Sequence, residues 1–327
     1  MTDFWKDSPD LHARLERVAG LMTETVRSPE FPLAEAVAAI VQSNGKMLRP
    51  ALLLIGSGFG RAADQNRMIS LAASIELLHV ATLIHDDVLD EAELRRGLPT
   101  LHMRFGHKEA VLAGDWILSR CFRLASASAG PDNAQALARL VGAICAAEIG
   151  QDLAKFSYSM SVRRYLRTIA GKTAALFALA LHAGSTEAKA PTRLIQTLRR
   201  AGYDIGMAFQ IIDDILDFES SEDVMRKPVG KDLREGLCTL PLIYALQADR
   251  KRVEALLPPD GADSAELDEA RVSALVERVA ESGALDRARE TAQRFTARAL
   301  KEIGNLPVSA ARGELESLAR NLLVRRY

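Results

Sequence analysis

Leu83-Ile84-His85-Asp86-Asp87-Val88-Leu89-Asp90 decides how the chain reads, together with its near-copy Ile211-Ile212-Asp213-Asp214-Ile215-Leu216-Asp217. Each stretch sets aspartates at i, i+1 and i+4 inside an otherwise apolar run. On an α-helix, i and i+4 differ by about 40° around the axis, so Asp86 and Asp90 share a face, as do Asp213 and Asp217. Carboxylates on a mostly buried helix face are costly without a partner. A hard divalent cation, Mg²⁺, compensates two clusters made only of oxygen ligands, and it binds carboxylates together with substrate phosphates. One acidic turn is commonly a solvated face or a cap; two copies inside apolar runs are a different matter. The six aspartates are therefore the candidate metal set. His85 reads as a packing residue rather than a ligand.

Outward from these two stretches the chain reads as helix. Ala, Leu, Arg and Glu dominate and aromatic residues are only 5% of the 327 positions, which favours helix over strand. Helical patterns are expected after Ser8-Pro9-Asp10, after Pro32 as far as Asn44-Gly45, and over Met47–Gly58, with Pro50 in a first turn. They continue over 65–93, 107–128, 132–157, 161–184, 190–219, 240–248, 265–281, 285–303 and 310–324. No alternating segment is long enough for a sheet, and Pro258-Pro259-Asp260-Gly261 reads as a surface loop. The expectation is one all-α domain over residues 1–327.

Composition excludes several classes. A net charge of −1 with dispersed basic residues gives no support to nucleic-acid binding. Cys121, Cys145 and Cys238 have no metal-ligand spacing and fit reduced thiols. The polar N-terminal stretch is no signal peptide and Ala174–Ala183 is too short to span a bilayer, so a soluble, cytoplasmic protein is expected.

Basic groups answer the acidic clusters. Lys46 and Arg49 lie three residues apart, as on one side of a helical turn. Arg95-Arg96 follows Asp90 after a short loop. Lys172-Thr173 sits inside an apolar helical pattern, and Lys227 and Lys231 lie in a glycine-bearing loop after the second cluster. Acid–metal clusters beside separate arginine and lysine groups imply two phosphorylated substrates, one held through Mg²⁺ and one held directly.

With these motifs the chain resembles the trans-isoprenyl diphosphate synthases, or polyprenyl synthetases, and among them the octaprenyl- and heptaprenyl-type long-chain enzymes. The resemblance runs from Gly45-Lys46 to Pro241. It is carried by Lys46-Met47-Leu48-Arg49-Pro50, His79, both acidic stretches, Arg95-Arg96-Gly97, Lys172-Thr173, Phe209-Gln210 and Lys227-Pro228-Val229-Gly230-Lys231-Asp232-Leu233. It implies an isoprenoid synthase helical bundle around a central cavity, a dimer, and condensation of isopentenyl diphosphate with an allylic diphosphate. Asp86, Asp90 and Asp213 would hold Mg²⁺ on the allylic diphosphate, with Arg95, Lys172 and Lys227 as further contacts to it. Lys46, Arg49, His79 and Arg96 would form the isopentenyl diphosphate site, with Thr173 and Gln210 between the two substrates. Two positions depart from the pattern: Asn44 where a second glycine is common, and Leu237-Cys238 where many members carry a lysine.

Ala81 and Thr82, just ahead of Asp86, are small where short-product members tend to carry aromatics. Medium-to-long all-trans products are therefore expected, and such a lipid product would associate with membrane. A bland account of these small residues is that they let a neighbouring helix approach. Four competing readings are a terpene cyclase, a non-catalytic partner subunit, the catalytic half of a two-component heptaprenyl-type synthase with a small unlike partner, and a short-chain (farnesyl or geranylgeranyl) synthase. The paired basic groups and the second acidic stretch weigh against the first two.

Overall fold

The structure is a computed structural model that describes residues 4–43, 45–61, 64–95, 97–219, 229–258 and 267–323. In chain order its helices are α1 (Pro9–Val26), α2 (Ala34–Gln42), α3 (Leu48–Ser57), α4 (Gln65–Leu89), α5 (Leu101–Phe105), α6 (His107–Ser128), α7 (Pro131–Asp152), α8 (Val162–Ile169), α9 (Ala175–Glu187) and α10 (Thr192–Glu219). After these come α11 (Lys231–Arg234), α12 (Leu240–Ala248), α13 (Arg250–Glu254), α14 (Glu269–Glu281), α15 (Ala284–Gly304) and α16 (Ala310–Leu323). Among the described residues the only strands are a two-residue hairpin, β1 (Leu94–Arg95) with β2 (Leu98–Pro99), turned at Gly97 with φ 78°.

Two compact units divide the chain. The first takes Met1–Ala138, Leu176–Arg199 and Leu306–Leu315; the second takes Arg139–Ala175, Arg200–Asn305 and Glu316–Tyr327.

In the first unit α4 is the central helix, packed by α1, α3 and α6. Asp64 starts it by accepting from the amides of Asn66 and Arg67 at 2.9 and 3.2 Å, which satisfies two otherwise orphaned donors. Met68, Ala72, Ile75, Leu77 and Ala81 are buried along it. The helix is long and apolar enough to cross a membrane, with an 18-residue window of mean hydropathy 1.6, but 72% of that window is buried inside the protein. It has the character of a core helix. It also ends earlier than expected: Asp90 caps it and Glu91 takes a left-handed φ of 49°, so the helix stops at Leu89 and not near Glu93.

Small residues set the helix spacing in this unit. A Cβ on Gly184 would run into the Leu53 carbonyl, and one on Gly56 would stand 2.8 Å from the Leu181 carbonyl, so α3 and α9 cross at a glycine pair. On α6, Ala110, Ala113, Gly114, Ile117 and Cys121 are buried. His85 occupies the space a Gly114 side chain would need, and Cys121 bonds the backbone of Leu78, which fixes α4 against α6 in antiparallel register.

The second unit is built on Tyr165, Ile169, Ile211, Ile215, Leu240, Leu242, Leu275 and Ala288, contributed by α8, α10, α12, α14 and α15. The helix expected over 161–184 is interrupted: Ala170–Ala174 form a wider π turn between α8 and α9. Such turns recur at functional sites. Burial pushes the thiols of Cys121 and Cys238 up to about 12, whereas Cys145 on α7 is exposed.

Asp204 on α10 is 3% exposed and meets Arg298 at 3.0 Å. Burial pushes its carboxyl up to about 6, with Arg298 pulling partly back and Glu302 adding repulsion. The folded value lies above the unfolded one of about 3.9, so the group favours folding at low pH and that contribution is lost as pH rises through about 6. Asp204→Asn, which resembles the protonated acid, is expected to raise Tm at pH 8 by about 2–4 °C and to leave it unchanged near pH 4. Calorimetry at the two pH values checks this; an equal shift at both would sink it.

Candidate active site

Each unit holds one acidic stretch on a helix, and in each the aspartates separate by burial. In the first unit Asp86 is half-buried on the same side of α4 as His79 and Thr82, whereas Asp87 points inward and is 6% exposed. Arg95, carried on the β-hairpin, donates its Nε to Asp87 Oδ1 at 2.6 Å. The amide of Ala92 bonds the Asp87 carbonyl at 3.0 Å and so folds the chain back toward the hairpin. Asp90 closes the helix, its amide bonding the Asp86 carbonyl at 2.8 Å. His85 is 3.2 Å from the Val111 carbonyl and 3.5 Å from Asp115, as a packing residue would be.

In the second unit Asp213 is exposed at the surface of α10 and Asp214 is buried behind it. Both Asp214 oxygens are occupied: Tyr165 donates to Oδ2 at 2.6 Å and Gln210 Nε2 to Oδ1 at 2.8 Å. Gln210 Oε1 in turn accepts from Thr173 at 2.7 Å, so a hydrogen-bonded chain runs from the π turn to the acidic stretch. Asp217 accepts from the amides of Lys231 and Asp232 at 3.1 and 3.0 Å, which ties the first turn of α11 to the end of α10.

These acids crowd one another. Burial pushes the Asp214 carboxyl up to about 7 against the pull of Tyr165 and Gln210, with Asp213 and Asp217 adding repulsion. Asp217 is raised by burial despite its two backbone donors, and Asp232 is raised well above the carboxylate range by burial and by Asp217. A cluster of oxygen donors short of positive charge is the chemistry a hard divalent cation fits. Among the described residues no three or more His, Cys, Asp or Glu form a ready-made cage. Each acidic stretch would therefore hold such an ion in part, the rest of its coordination coming from phosphate oxygens and water.

Lys172 lies in the π turn, its Nζ 2.8 and 2.9 Å from the two Glu148 oxygens. Gly171 allows the approach, since a Cβ there would stand 3.2 Å from Ala147 on the same helix, α7, as Glu148. Lys46 and Arg49 do not share a helical turn: α3 begins at Leu48, and Met47 takes a left-handed φ of 53° between them. Arg49 lies with its guanidinium 5.1 Å over the Phe177 ring. His79 and Thr82 are half-buried on α4, Thr82 Oγ1 bonding the His79 carbonyl at 2.8 Å; Ala81 is completely buried. Asn44, Arg96, Lys227, Pro228 and the loop at Pro259-Asp260-Gly261 lie outside the described residues.

Sequence reading missed Glu148, Tyr165 and Asp232. Tyr165 precedes Thr173 by two helical turns, a spacing that places both on one side. Glu148 is a lone acid after Ala146-Ala147, a weaker signal.

Residues 31–274 match the family model for polyprenyl synthetase. The chain is 36% identical over 306 residues to heptaprenyl diphosphate synthase component 2 of Geobacillus stearothermophilus, covering 94% of each. Its fold is similar to that of a geranylgeranyl pyrophosphate synthase from Lactobacillus brevis, with TM-score 0.91, 34% identity and 99% of each chain covered. It is also similar to a polyprenyl synthase from Caulobacter crescentus complexed with calcium and isoprenyl diphosphate, with TM-score 0.90, 32% identity and 97% of this chain and 96% of that one covered. The chain belongs to the polyprenyl synthetase family and has its all-α isoprenoid synthase fold.

Proposed function

We propose that this prenyltransferase condenses isopentenyl diphosphate with an allylic diphosphate, head to tail and in the presence of Mg²⁺, to give medium-to-long all-trans polyprenyl diphosphates. One observation carries the reading. In both acidic stretches the second aspartate is turned inward onto protein donors, Asp87 onto Arg95 and Asp214 onto Tyr165 and Gln210, while Asp86 and Asp213 stay accessible. A fixed inner carboxylate steers an accessible neighbour, which is how a ligand is pre-oriented. The relative named for heptaprenyl synthesis and the small residues Ala81 and Thr82 support the product class.

Asp86, Asp90 and Asp213 would hold Mg²⁺, with Asp87, Asp214 and Asp217 orienting them. The ion would supply charge neutralisation to the leaving diphosphate. Lys172, Arg95 and Lys227 add direct donors to that diphosphate; Lys172 exchanges its Glu148 partner for a phosphate oxygen, whereas Arg95 keeps its Nε on Asp87 and offers its terminal nitrogens. Lys46, Arg49, His79 and Arg96 hold isopentenyl diphosphate so that its double bond faces the allylic C1, a positioning effect. Thr173 and Gln210, which the family resemblance assigns to the region where the substrates meet, would contact both. The apolar surroundings keep water from the electrophilic carbon, and the departing diphosphate takes the proton.

Mass spectrometry of products from the purified chain with isopentenyl diphosphate, primers of increasing length and Mg²⁺ tests this. Linear elongated diphosphates are expected; cyclised hydrocarbons, or no reaction with any primer or partner, would refute it. The division of the two phosphate sites makes a finer expectation. Lys172→Ala should lower kcat by about 10²-fold with little change in the KM for isopentenyl diphosphate, and Arg96→Ala should chiefly raise that KM. Equal effects of both changes on both substrates would mean the sites are wrongly divided.

A second reading is favoured by the relative named component 2: the chain is the catalytic half of a two-component synthase. Activity that appears only on adding a small unlike subunit would select it. A homodimer is the first proposal. Exposed apolar side chains on α5 and α6 support it, with Met103 54%, Leu112 52% and Phe122 41% exposed. We also propose that residues 1–327 act as one polyprenyl synthetase domain in the cytoplasm, since the family match runs through both units. The lipid product would pass to membrane.

A further inference from the structure

Lys46 stands immediately ahead of Met47, whose left-handed φ of 53° is a backbone state that a long side chain holds only when its surroundings fix it. Residues far back in the chain supply those surroundings. The indole Nε1 of Trp5 donates to the Lys46 carbonyl at 2.7 Å, and Trp5 is 5% exposed. The neighbouring Phe4 ring lies 5.5 Å from the Lys46 ammonium, and the two rings meet edge to face with centroids 4.8 Å apart. The amide of Ser8 bonds the Trp5 carbonyl at 3.0 Å, joining this pair directly to α1. Farther along, Arg14 on α1 reaches the Leu54 carbonyl at 3.4 Å and Ser57 Oγ at 3.2 Å. So α1 runs alongside α3 in the same direction, and its leading residues are held at the start of α3.

An aromatic face restrains a long cationic side chain while leaving its charge intact. Arg49 is treated the same way by Phe177. The two cations of this segment thus each lean on a ring, and the rings come from different parts of the chain. For Lys46 the backbone is held as well, because the Trp5 bond acts on its own carbonyl.

We infer that Phe4 and Trp5 are positioning residues for isopentenyl diphosphate: they fix the backbone and the ammonium of Lys46 so that its charge is presented to that substrate's phosphates. The inference rests on the reading of Lys46 as a contact to isopentenyl diphosphate, so the test includes Lys46 itself.

Steady-state kinetics would be measured on the full chain with both substrates varied, for Lys46→Ala, Trp5→Phe, Phe4→Leu and the Phe4→Leu, Lys46→Ala double variant. Trp5→Phe keeps the ring and removes the donor; it is expected to raise the KM for isopentenyl diphosphate about fivefold, the size of one net hydrogen bond. Phe4→Leu keeps the bulk and is expected to raise it about two- to threefold, the size of an exposed cation–ring contact. The KM for the allylic substrate and kcat should hold, Tm should fall by no more than about 2–4 °C for Trp5→Phe, and Phe4→Leu should add nothing once Lys46 is alanine.

Lys46→Ala without effect on this KM would remove the underlying reading, and the inference with it. Lys46→Ala with a raised KM, but neither aromatic variant with one, would overturn the inference alone. A uniform loss in every constant together with a larger fall in Tm would make Phe4 and Trp5 a structural staple instead. That result also overturns the inference.

Discussion

Asp213→Ala is expected to lower kcat by roughly three orders of magnitude while raising the Tm of the metal-free protein. The loss follows from removing an accessible carboxylate from the leaving-group end of the reaction. The gain follows from the crowding around it, because Asp213 contributes to raising the carboxyls of Asp214, Asp217 and Asp232. Asp86→Ala should match the loss in turnover. Asp214→Asn is the contrasting variant: its side chain can still accept from Gln210, and the Tyr165 hydroxyl can turn to accept from the new amide. With a carboxyl already near pH 7 in the folded protein, the amide resembles the protonated acid. A loss of about 10- to 100-fold is expected there, well short of the loss at Asp213.

The same cluster sets a pH dependence. The folded-state values of Asp214, Asp217 and Asp232 are raised, so their joint contribution to stability is full at acid pH and fades as pH rises, through about 7 for Asp214. Calorimetry without metal should show stability falling from pH 5 to pH 8, and Mg²⁺ with inorganic pyrophosphate should flatten that slope. Should Asp213→Ala turn over at near-normal rate, or Asp214→Asn be as inactive as Asp213→Ala, the sorting of carboxylates into ligands and anchors is wrong.

Thr82→Phe is expected to shift products from medium or long chains to mainly short ones at a similar initial rate. Thr82 is half-buried one helical turn before Asp86, about 6 Å along α4 at 1.5 Å per residue. A hydrocarbon tail leading away from the diphosphate along this face passes it. Each added isoprene unit buries about five carbons, worth roughly 4 kcal/mol at about 0.8 kcal/mol per carbon, and a ring in its path forfeits that gain. Ala81 sits differently. It is completely buried on the part of α4 bracketed by the Leu78–Cys121 and His85–Gly114 contacts with α6. Ala81→Phe therefore overpacks a helix seam, at about 1–3 kcal/mol, besides any effect on length. Product mass spectra and melting curves of both variants separate the two effects. Unchanged product lengths in Thr82→Phe would mean the tail does not follow this face.

Most helices were legible because their apolar spacing and end signals agree: Pro9 opens α1, and α6 and α10 end where the pattern does. What escaped was local and set by packing. The left-handed turns at Met47 and Glu91 carry no glycine to announce them. The π turn at Ala170–Ala174 keeps an apolar pattern that reads as continuous helix. The acidic residues were legible as a type and a spacing, since aspartates inside apolar runs need a reason to be there. Which of each adjacent pair turns inward was not, because Asp87 and Asp214 are chosen by partners on other elements, Arg95 on the hairpin that follows α4 and Tyr165 on a separate helix.

The three cysteines carry a practical consequence. Cys121 and Cys238 are buried with thiols pushed up to about 12, so the thiolate that reacts with maleimides is scarce at both. Cys145 is exposed on α7, one helical turn before Glu148, the partner of Lys172. The natural chain thus accepts a single fluorophore without any engineered mutation, close to the ion pair that the proposed binding of the allylic diphosphate would break. Stopped-flow fluorescence on the labelled protein would then time the arrival of the allylic diphosphate separately from the bond-forming step that follows it.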